Sequence, residues 1–217
     1  MADDHTVVRQ GLRALLSAED DFEVVGEAEN GRQAIQMAKQ LLPDVTIMDI
    51  AMPILNGLEA TRQITRTIPG AKVLILSTYG NDEYVRQLTE SGACGYLIKQ
   101  TAVNDLTKAI REAHKGNAYF SPVIAKRLRD HCRETFGERK GKPRGHLTSR
   151  ESEVLQLIAE GRLNKQIAAE LSISIKTVEK HRQQVMNKLG IHDIAGLTRH
   201  AMAKGIVEGG PRFETHV

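Results

Sequence analysis

Val45-Thr-Ile-Met-Asp49-Ile-Ala-Met-Pro53-Ile-Leu-Asn-Gly57 decides how this chain is read. An apolar, partly β-branched run ends on a carboxylate, and Pro53 and Gly57 then turn the chain into a helix. A short continuous apolar run bounded by turn formers is the pattern of a strand buried in a parallel sheet. In open α/β sheets ligands bind beyond the carboxyl ends of the strands. Asp49 is therefore a site residue on this reading, and what surrounds it sets the chemistry.

The alternation extends in both directions. Upstream, Val8, Leu12, Leu15 and Leu16 recur at helical spacing, with Arg9, Gln10 and Arg13 between them. Asp20-Asp21 break that helix, Phe22–Val25 reads as a short strand, and Asn30 is placed to cap a helix through Gln40, which Pro43 stops. Downstream, the pattern predicts a helix over Leu58–Ile68 and a buried strand over Lys72–Ser77. A helix over Asn81–Ser91, a strand over Gly95–Lys99 and a helix over Val103–Lys115 follow, the two helices closed by Gly92 and Gly116. Strands alternating with helices of this length imply a parallel sheet with helices on both faces.

From Ser121 the pattern changes. Pro122–Phe136 reads as one helix, and Gly137-Glu-Arg-Lys-Gly-Lys-Pro-Arg-Gly145 is too basic and Gly-rich to build a core, so it reads as an exposed linker. Everything beyond is helical, over Ser149–Glu160, Asn164–Leu171, Ile175–Leu189 and Ile194–Ala203. The expected division is a first domain over 1–117, a helix and linker over 118–145, a helical domain over 146–206 and a frayed tail over 207–217.

Composition narrows the function classes. With 217 residues, 41% hydrophobic and 26% charged, the chain is an ordinary globular protein long enough for two domains. A net charge of only +3 means that any nucleic-acid surface must come from local clustering. Cys94 and Cys132 lie far apart without a CxxC partner, which argues against a disulfide framework or a zinc site. No apolar run approaches the ~20 residues that span a bilayer, and the first residues lack the basic and apolar regions of a secretory signal. A cytoplasmic protein with no membrane partner is expected.

Polar residues at successive strand ends converge on one crevice in such a sheet. Here they are Asp3 and Asp4, Asp49, Ser77 and Lys99. Three carboxylates make a hard oxygen site suited to Mg²⁺, which binds through one or two carboxylates together with a phosphoryl group. A lysine and a hydroxyl facing the metal would hold the remaining phosphoryl oxygens. That set supports transfer of a phosphoryl group onto Asp49. Each residue alone has a plainer reading, as a turn former, a strand-end hydroxyl or a solvated charge; their conjunction carries the argument.

Asp3-Asp4, Asp49 with Met52-Pro53 and Gly57, Ser77, and Gly95-Tyr-Leu-Ile-Lys99 resemble the receiver domain of two-component response regulators. The resemblance implies a flavodoxin-like domain with Asp49 as phospho-acceptor. It implies Mg²⁺ held by Asp4, Asp49 and the backbone carbonyl of Ala51, with Asp3 assisting. It makes Ser77 the switch hydroxyl, Lys99 the family's lysine and Tyr96 the aromatic whose orientation reports phosphorylation. It also implies a sensor histidine kinase as partner. Family members often carry Pro after the lysine, where this chain has Gln100.

In the helical half, Asn164–Gln183 reads as two short helices joined by a tight turn at Ser172-Ile-Ser174, with Ser174 capping the second. Val178, Val185 and Leu189 fall on one face of that second helix, and Lys176, Glu179, Lys180, Gln183 and Asn187 on the other. Lysine, glutamine and glutamate are side-chain types that read base edges, although a charged helix face is often only solvated. Leu147–Gly161, followed by Asn164-Lys-Gln-Ile-Ala and Lys176-Thr-Val-Glu-Lys-His, looks like the LuxR-type helix-turn-helix. With the receiver in front, the chain resembles the NarL/FixJ class of response regulators. Departures are Ser149, where Pro is common, and Leu163, where a small polar residue is common.

This second resemblance implies that Glu179, Lys180 and Gln183 face bases of double-stranded DNA, that Lys165, Lys176, Thr177 and Arg182 meet phosphates, and that Ile194–Ala203 joins a homodimer on DNA. It leaves open whether the receiver covers the recognition helix or gates dimerisation. Two rivals are weighed against it. One is an aspartyl-phosphate hydrolase, which generally needs a second acid where Ala51 stands. The other is a DNA-binding protein whose receiver is only a dimerisation scaffold.

One mismatch concerns the start. A receiver opens on an apolar strand of about five residues, lying between the strand at Phe22–Val25 and the one ending on Asp49 in the order 2-1-3-4-5. Only Met1-Ala2 precede Asp3. Either the natural chain starts upstream of this Met1, or the receiver lacks its first strand and phosphorylates weakly.

Overall fold

The computed structural model describes residues 1–78, 88, 91–136 and 146–207, leaving out the side chains of 101–104 and 131–136. The expected helix over Asn81–Ser91 falls largely outside the described residues, as do the expected linker and tail.

Helices α1 (Thr6–Ser17) and α2 (Gly31–Leu41) precede strand β1 (Thr46–Asp49), which feeds α3 (Gly57–Thr67) and then β2 (Val73–Ser77). Strand β3 (Gly95–Ile98) runs directly into α4 (Lys99–His114), followed by β4 (Tyr119–Phe120) and α5 (Pro122–Phe136). The four strands form one parallel sheet in the order β1-β2-β3-β4. β1 and β2 are buried along their whole lengths, as their unbroken apolar runs require. Successive side chains of β1 point to opposite faces. Met48 packs with Ala34, Ala38, Ala60 and Ile64 of α2 and α3. Ile47 packs with Leu16 of α1 and with Leu106, Ala109 and Ile110 of α4. Helices therefore cover both faces, as the alternating pattern predicts. The cap at Asn30 is also as predicted, its side chain accepting from Gln33 N at 3.0 Å.

Three elements differ from the sequence reading. Phe22–Val25 is not a strand. Among the described residues the chain beside it bridges at Ala2, to Ala28 and to Met48. Leu16, Phe22, Val24, Leu41 and Ile110 are among the residues that line a cavity of about 580 Å³. Met1 N donates to Gly26 O at 2.9 Å. Helix α4 starts at Lys99 rather than Val103, so the last residue of the strand motif is also the first residue of a helix. Strand β4 was not anticipated; it is two residues long and pairs with β3 through Gly95 and Tyr96.

The helical half contains α6 (Ser149–Ala159), α7 (Asn164–Glu170), α8 (Ile175–Leu189) and α9 (Ile194–Ala203). Helix α6 opens on a reciprocal cap: Thr148 Oγ1 accepts from Glu151 N, and the Glu151 carboxylate accepts from Thr148 N at 2.7 Å. Helix α8 opens on Ser174, whose hydroxyl accepts from Thr177 N at 3.1 Å, and ends at Gly190 in the left-handed conformation. Val178 and Val185 are fully buried against Val154, Leu155, Ile158 and Leu197. Each hydrophobic cluster of the described residues lies within one half of the chain.

Candidate functional site

The register of the sheet sets the first site. Asp49 is paired with Leu76 and Ser77 with Ile98, so Asp49, Ser77 and Lys99 stand at the carboxyl ends of three adjacent strands. Asp3 joins them because Ala2 is held between Ala28 and Met48: Ala2 N donates to Ile47 O and Asp49 N donates to Ala2 O, both at 2.8 Å. Buried Arg9 fixes the turn that follows, donating to Asp3 O at 2.8 Å while pairing with Glu29 at 2.7 Å.

Lys99 Nζ lies 2.9 Å from Asp49 Oδ2 and 2.6 Å from Asp3 Oδ2, and all three side chains are largely buried. The other Asp49 oxygen accepts from Ile50 N at 2.8 Å. Burial, reinforced by the nearby Asp3 charge and opposed by Lys99, pushes the Asp49 carboxyl up to about 6. Burial would depress the Lys99 ammonium, but its pairs with Asp49 and Asp3 outweigh that and raise it. Ser77 and Tyr96 are buried and hydrogen-bonded to each other, and burial pushes the Tyr96 hydroxyl up to about 12.

Carboxylate oxygens of Asp3, Asp4 and Asp49 and one ring nitrogen of His5 lie within 4.8 Å of one another. Hard oxygen donors at this density fit a hydrated Mg²⁺ ion, and Ala51, whose backbone carbonyl completes the expected ligand set, is buried beside them. His5 was missed by the sequence reading, although it follows the acidic pair directly; its Nδ1 is 3.0 Å from Asp4 Oδ1.

The loop after Asp49 is tightly drawn. Gly57 N donates to Ile50 O at 2.8 Å, and a Cβ built on Gly57 would sit 1.7 Å from Asp49 O. Only glycine tolerates that approach. Asn56 accepts from Glu59 N at 2.9 Å and so starts α3.

The second candidate site is the outer face of α8. Lys176, Glu179, Lys180, Gln183 and Asn187 are all exposed, opposite buried Val178 and Val185. Gln183 Nε2 donates to Asn187 Oδ1 at 2.9 Å along that face. Lys165 is exposed near the start of α7, and Thr177 is half-buried with its hydroxyl 2.8 Å from that of Ser174. Arg182 differs from the rest: its Nη1 donates to Asn164 Oδ1 at 2.9 Å, tying α8 to α7. Nothing of the receiver half covers this face of α8 among the described residues.

Two family models account for most of the chain: the response regulator receiver domain over residues 1–111, and the luxR family of bacterial regulatory proteins over residues 145–201. The chain belongs to the response regulators. It joins a receiver to a LuxR-type DNA-binding domain and is homologous to DNA-binding transcriptional regulators, which sets the hydrolase reading aside. The transcriptional regulatory protein LiaR of Bacillus subtilis is 40% identical, with 89% of this chain and 90% of LiaR covered. The oxygen regulatory protein NreC of Staphylococcus carnosus is 38% identical over 96% of this chain and 98% of its own. Among solved structures, RcsB of Salmonella enterica serovar Typhimurium, bound to promoter P1flhDC in the presence of the phosphomimetic BeF3−, is 29% identical. That match covers 95% of this response regulator and 97% of the RcsB chain, with a TM-score of 0.58.

Proposed function

We propose that this response regulator accepts a phosphoryl group on Asp49 and that the modification controls binding of its helix-turn-helix to double-stranded DNA. The observation that carries the reading is the Asp3–Lys99–Asp49 cluster, with Lys99 Nζ within 2.9 Å of both carboxylates, at the mouth of a receiver sheet.

An Asp49 oxygen attacks phosphorus as the bond to the imidazole nitrogen of a sensor histidine kinase breaks; a P–O bond replaces a P–N bond and the histidine leaves with its electron pair. Most of the Asp49 carboxyl is ionised at neutral pH, which a nucleophile requires. Lys99, already 2.9 Å from Asp49, is placed to neutralise charge on the transferred group. Ser77 is the hydroxyl available to the phosphoryl oxygens, and its partner Tyr96 is the group whose position would follow it. Mg²⁺, held by Asp3, Asp4, Asp49 and the Ala51 carbonyl, would supply further compensation of phosphoryl charge.

At the other end, Glu179, Lys180 and Gln183 read base edges in the major groove, while Lys165, Lys176, Thr177 and Arg182 contact phosphates and set register. Helix α9 provides the homodimer contact on DNA. RcsB bound to a promoter in the presence of BeF3− supports the order of events, and a cytoplasmic place of action fits a regulator with a LuxR-type DNA-binding domain.

The test is incubation with a small phosphodonor and Mg²⁺. Phosphate should attach to the wild type through a hydroxylamine-labile bond and be absent from Asp49→Asn. Equal labelling of the variant, or none of the wild type, contradicts the assignment and leaves the receiver as a dimerisation scaffold.

A further inference from the structure

Gln183 and Asn187 stand one turn apart on the exposed face of α8, in line with Lys176, Glu179 and Lys180. The helix that carries them is held from behind. Val178 and Val185 are fully buried, Ser174 caps the first turn, and Gly190 ends the last in the left-handed conformation. Arg182 Nη1, donating to Asn164 Oδ1 at 2.9 Å, ties α8 to α7. The backbone under this face is therefore fixed, and the freedom that remains belongs to its side chains.

That freedom matters for recognition. A glutamine has several rotatable bonds, and ordering such a side chain at an interface opposes binding. Among the described residues the side chains of Lys176, Glu179 and Lys180 have no hydrogen-bond or ion-pair partner, whereas Gln183 Nε2 donates to Asn187 Oδ1 at 2.9 Å. In a helix by itself such a pair adds only slight stability. Here it also decides what the amide shows to the outside. A glutamine amide carries two N–H donors and one carbonyl oxygen. Asn187 takes one N–H, which leaves the second N–H and the carbonyl oxygen as a donor–acceptor edge. In the major groove adenine offers the complement, an acceptor at N7 beside a donor at N6. Guanine offers two acceptors there, which leaves the carbonyl oxygen unsatisfied, and neither pyrimidine offers both an acceptor and a donor.

We infer that Asn187 is a positioning residue: it holds the Gln183 amide so that its free N–H and carbonyl oxygen meet N7 and N6 of one adenine in the major groove. The inference rests on the reading that Gln183 faces bases, and it adds the base selected and the residue that fixes the selection. Asn187 acts through Gln183 and touches no base itself. Because the amide is set before DNA arrives, less of its ordering entropy opposes the encounter.

The experiment uses the full-length chain and a duplex selected in vitro on it, with each base pair then replaced in turn. Gln183→Ala should abolish a preference for adenine at one position and leave the others. Asn187→Ala should weaken the preference at that same position by about threefold to tenfold, the size expected when one side chain must be ordered on binding. In the Gln183→Ala background, Asn187→Ala should change that preference by less than about twofold, because the partner it acts through is gone. Asn187→Asp keeps an acceptor oxygen for Gln183 Nε2, so it should retain the adenine preference while its added charge weakens every duplex. A pair that only stabilises the helix would give Asn187→Ala a lowered denaturation midpoint and unchanged base ratios, which overturns the inference. A loss spread equally over all base pairs, a loss at another position, additive losses in the double variant, or a base other than adenine at the Gln183 position overturns it too. Equal loss at every pair for Gln183→Ala overturns the base-reading assignment of Gln183 itself, so the two failures are told apart.

Discussion

The proposed phosphorylation pocket and the proposed recognition face lie in opposite physical settings. Asp49 is 4% exposed, pairs with Lys99 from another strand end and lies beside Asp3 of the N-terminal segment. Gln183 stands in solvent, and its nearest polar partner is on its own helix. A buried pocket is a collective object: each member depends on the placement of the others, and a change there disturbs the fold and the chemistry together. An exposed reading face is nearly additive. Its side chains can be exchanged with little effect on stability as long as the buried back of α8, Val178 and Val185, and the cap at Ser174 stay in place.

That contrast can be broken in order of effect. Gly57→Ala should be the most damaging change, because the new Cβ meets Asp49 O at 1.7 Å and backbone must move. A loss of about 3 kcal/mol or more is expected from strain and overpacking, seen as a lowered denaturation midpoint together with lost labelling of Asp49. An equally severe effect confined to labelling would show that loop and fold are separable.

Asp49→Asn should act in the opposite direction on stability. Its carboxyl is raised from 3.8 to about 6, so the folded chain holds that proton more tightly than the unfolded chain does. The group's contribution to stability is complete below 3.8 and is lost as pH rises through about 6. Without added metal, the asparagine variant should be more stable than wild type at pH 7, by up to about 3 kcal/mol. The gain should vanish near pH 4; a gain that is the same at both values contradicts the assigned ionisation. On the recognition side, Ser174→Ala removes the acceptor of Thr177 N and should cost about 1 kcal/mol.

Substitutions on the face itself should barely move stability. Gln183→Ala should lose about 1–3 kcal/mol of discrimination at one base position, and Lys165→Ala should weaken all duplexes alike and reduce the salt slope by about one. Equal losses on selected and random DNA for Gln183→Ala would move it from base reader to phosphate contact.

Local patterns were the legible part of this molecule. The strand ending on Asp49, the caps at Asn30 and Ser174 and the two faces of α8 are each written in fewer than about fifteen consecutive residues, within the reach of periodicity and capping rules. Features that depend on a distant partner were not legible. Phe22–Val25 has strand composition but no neighbour along its length. Tyr119–Phe120 is a strand because β3 lies beside it, not because of its own two residues. Gln156 looks like any polar helix residue in sequence, and its full burial follows from Met52 and Asn56, about 100 positions away. The left-handed Ile54 carries no signal at all, since Gly or Asn is the usual mark of that conformation. The acidic pocket fell between these cases: its members were found one strand end at a time, and His5 was passed over although it adjoins Asp4.

The claim that joins the two regions is that chemistry at Asp49 sets the affinity of α8 for DNA. The most direct measurement is the dissociation constant of the full chain for a selected duplex, at fixed salt, before and after phosphodonor treatment, in wild type and in Asp49→Asn. The account predicts tighter binding by treated wild type and no change in the variant. An identical constant in labelled and unlabelled wild type, or the same gain in Asp49→Asn, would contradict it.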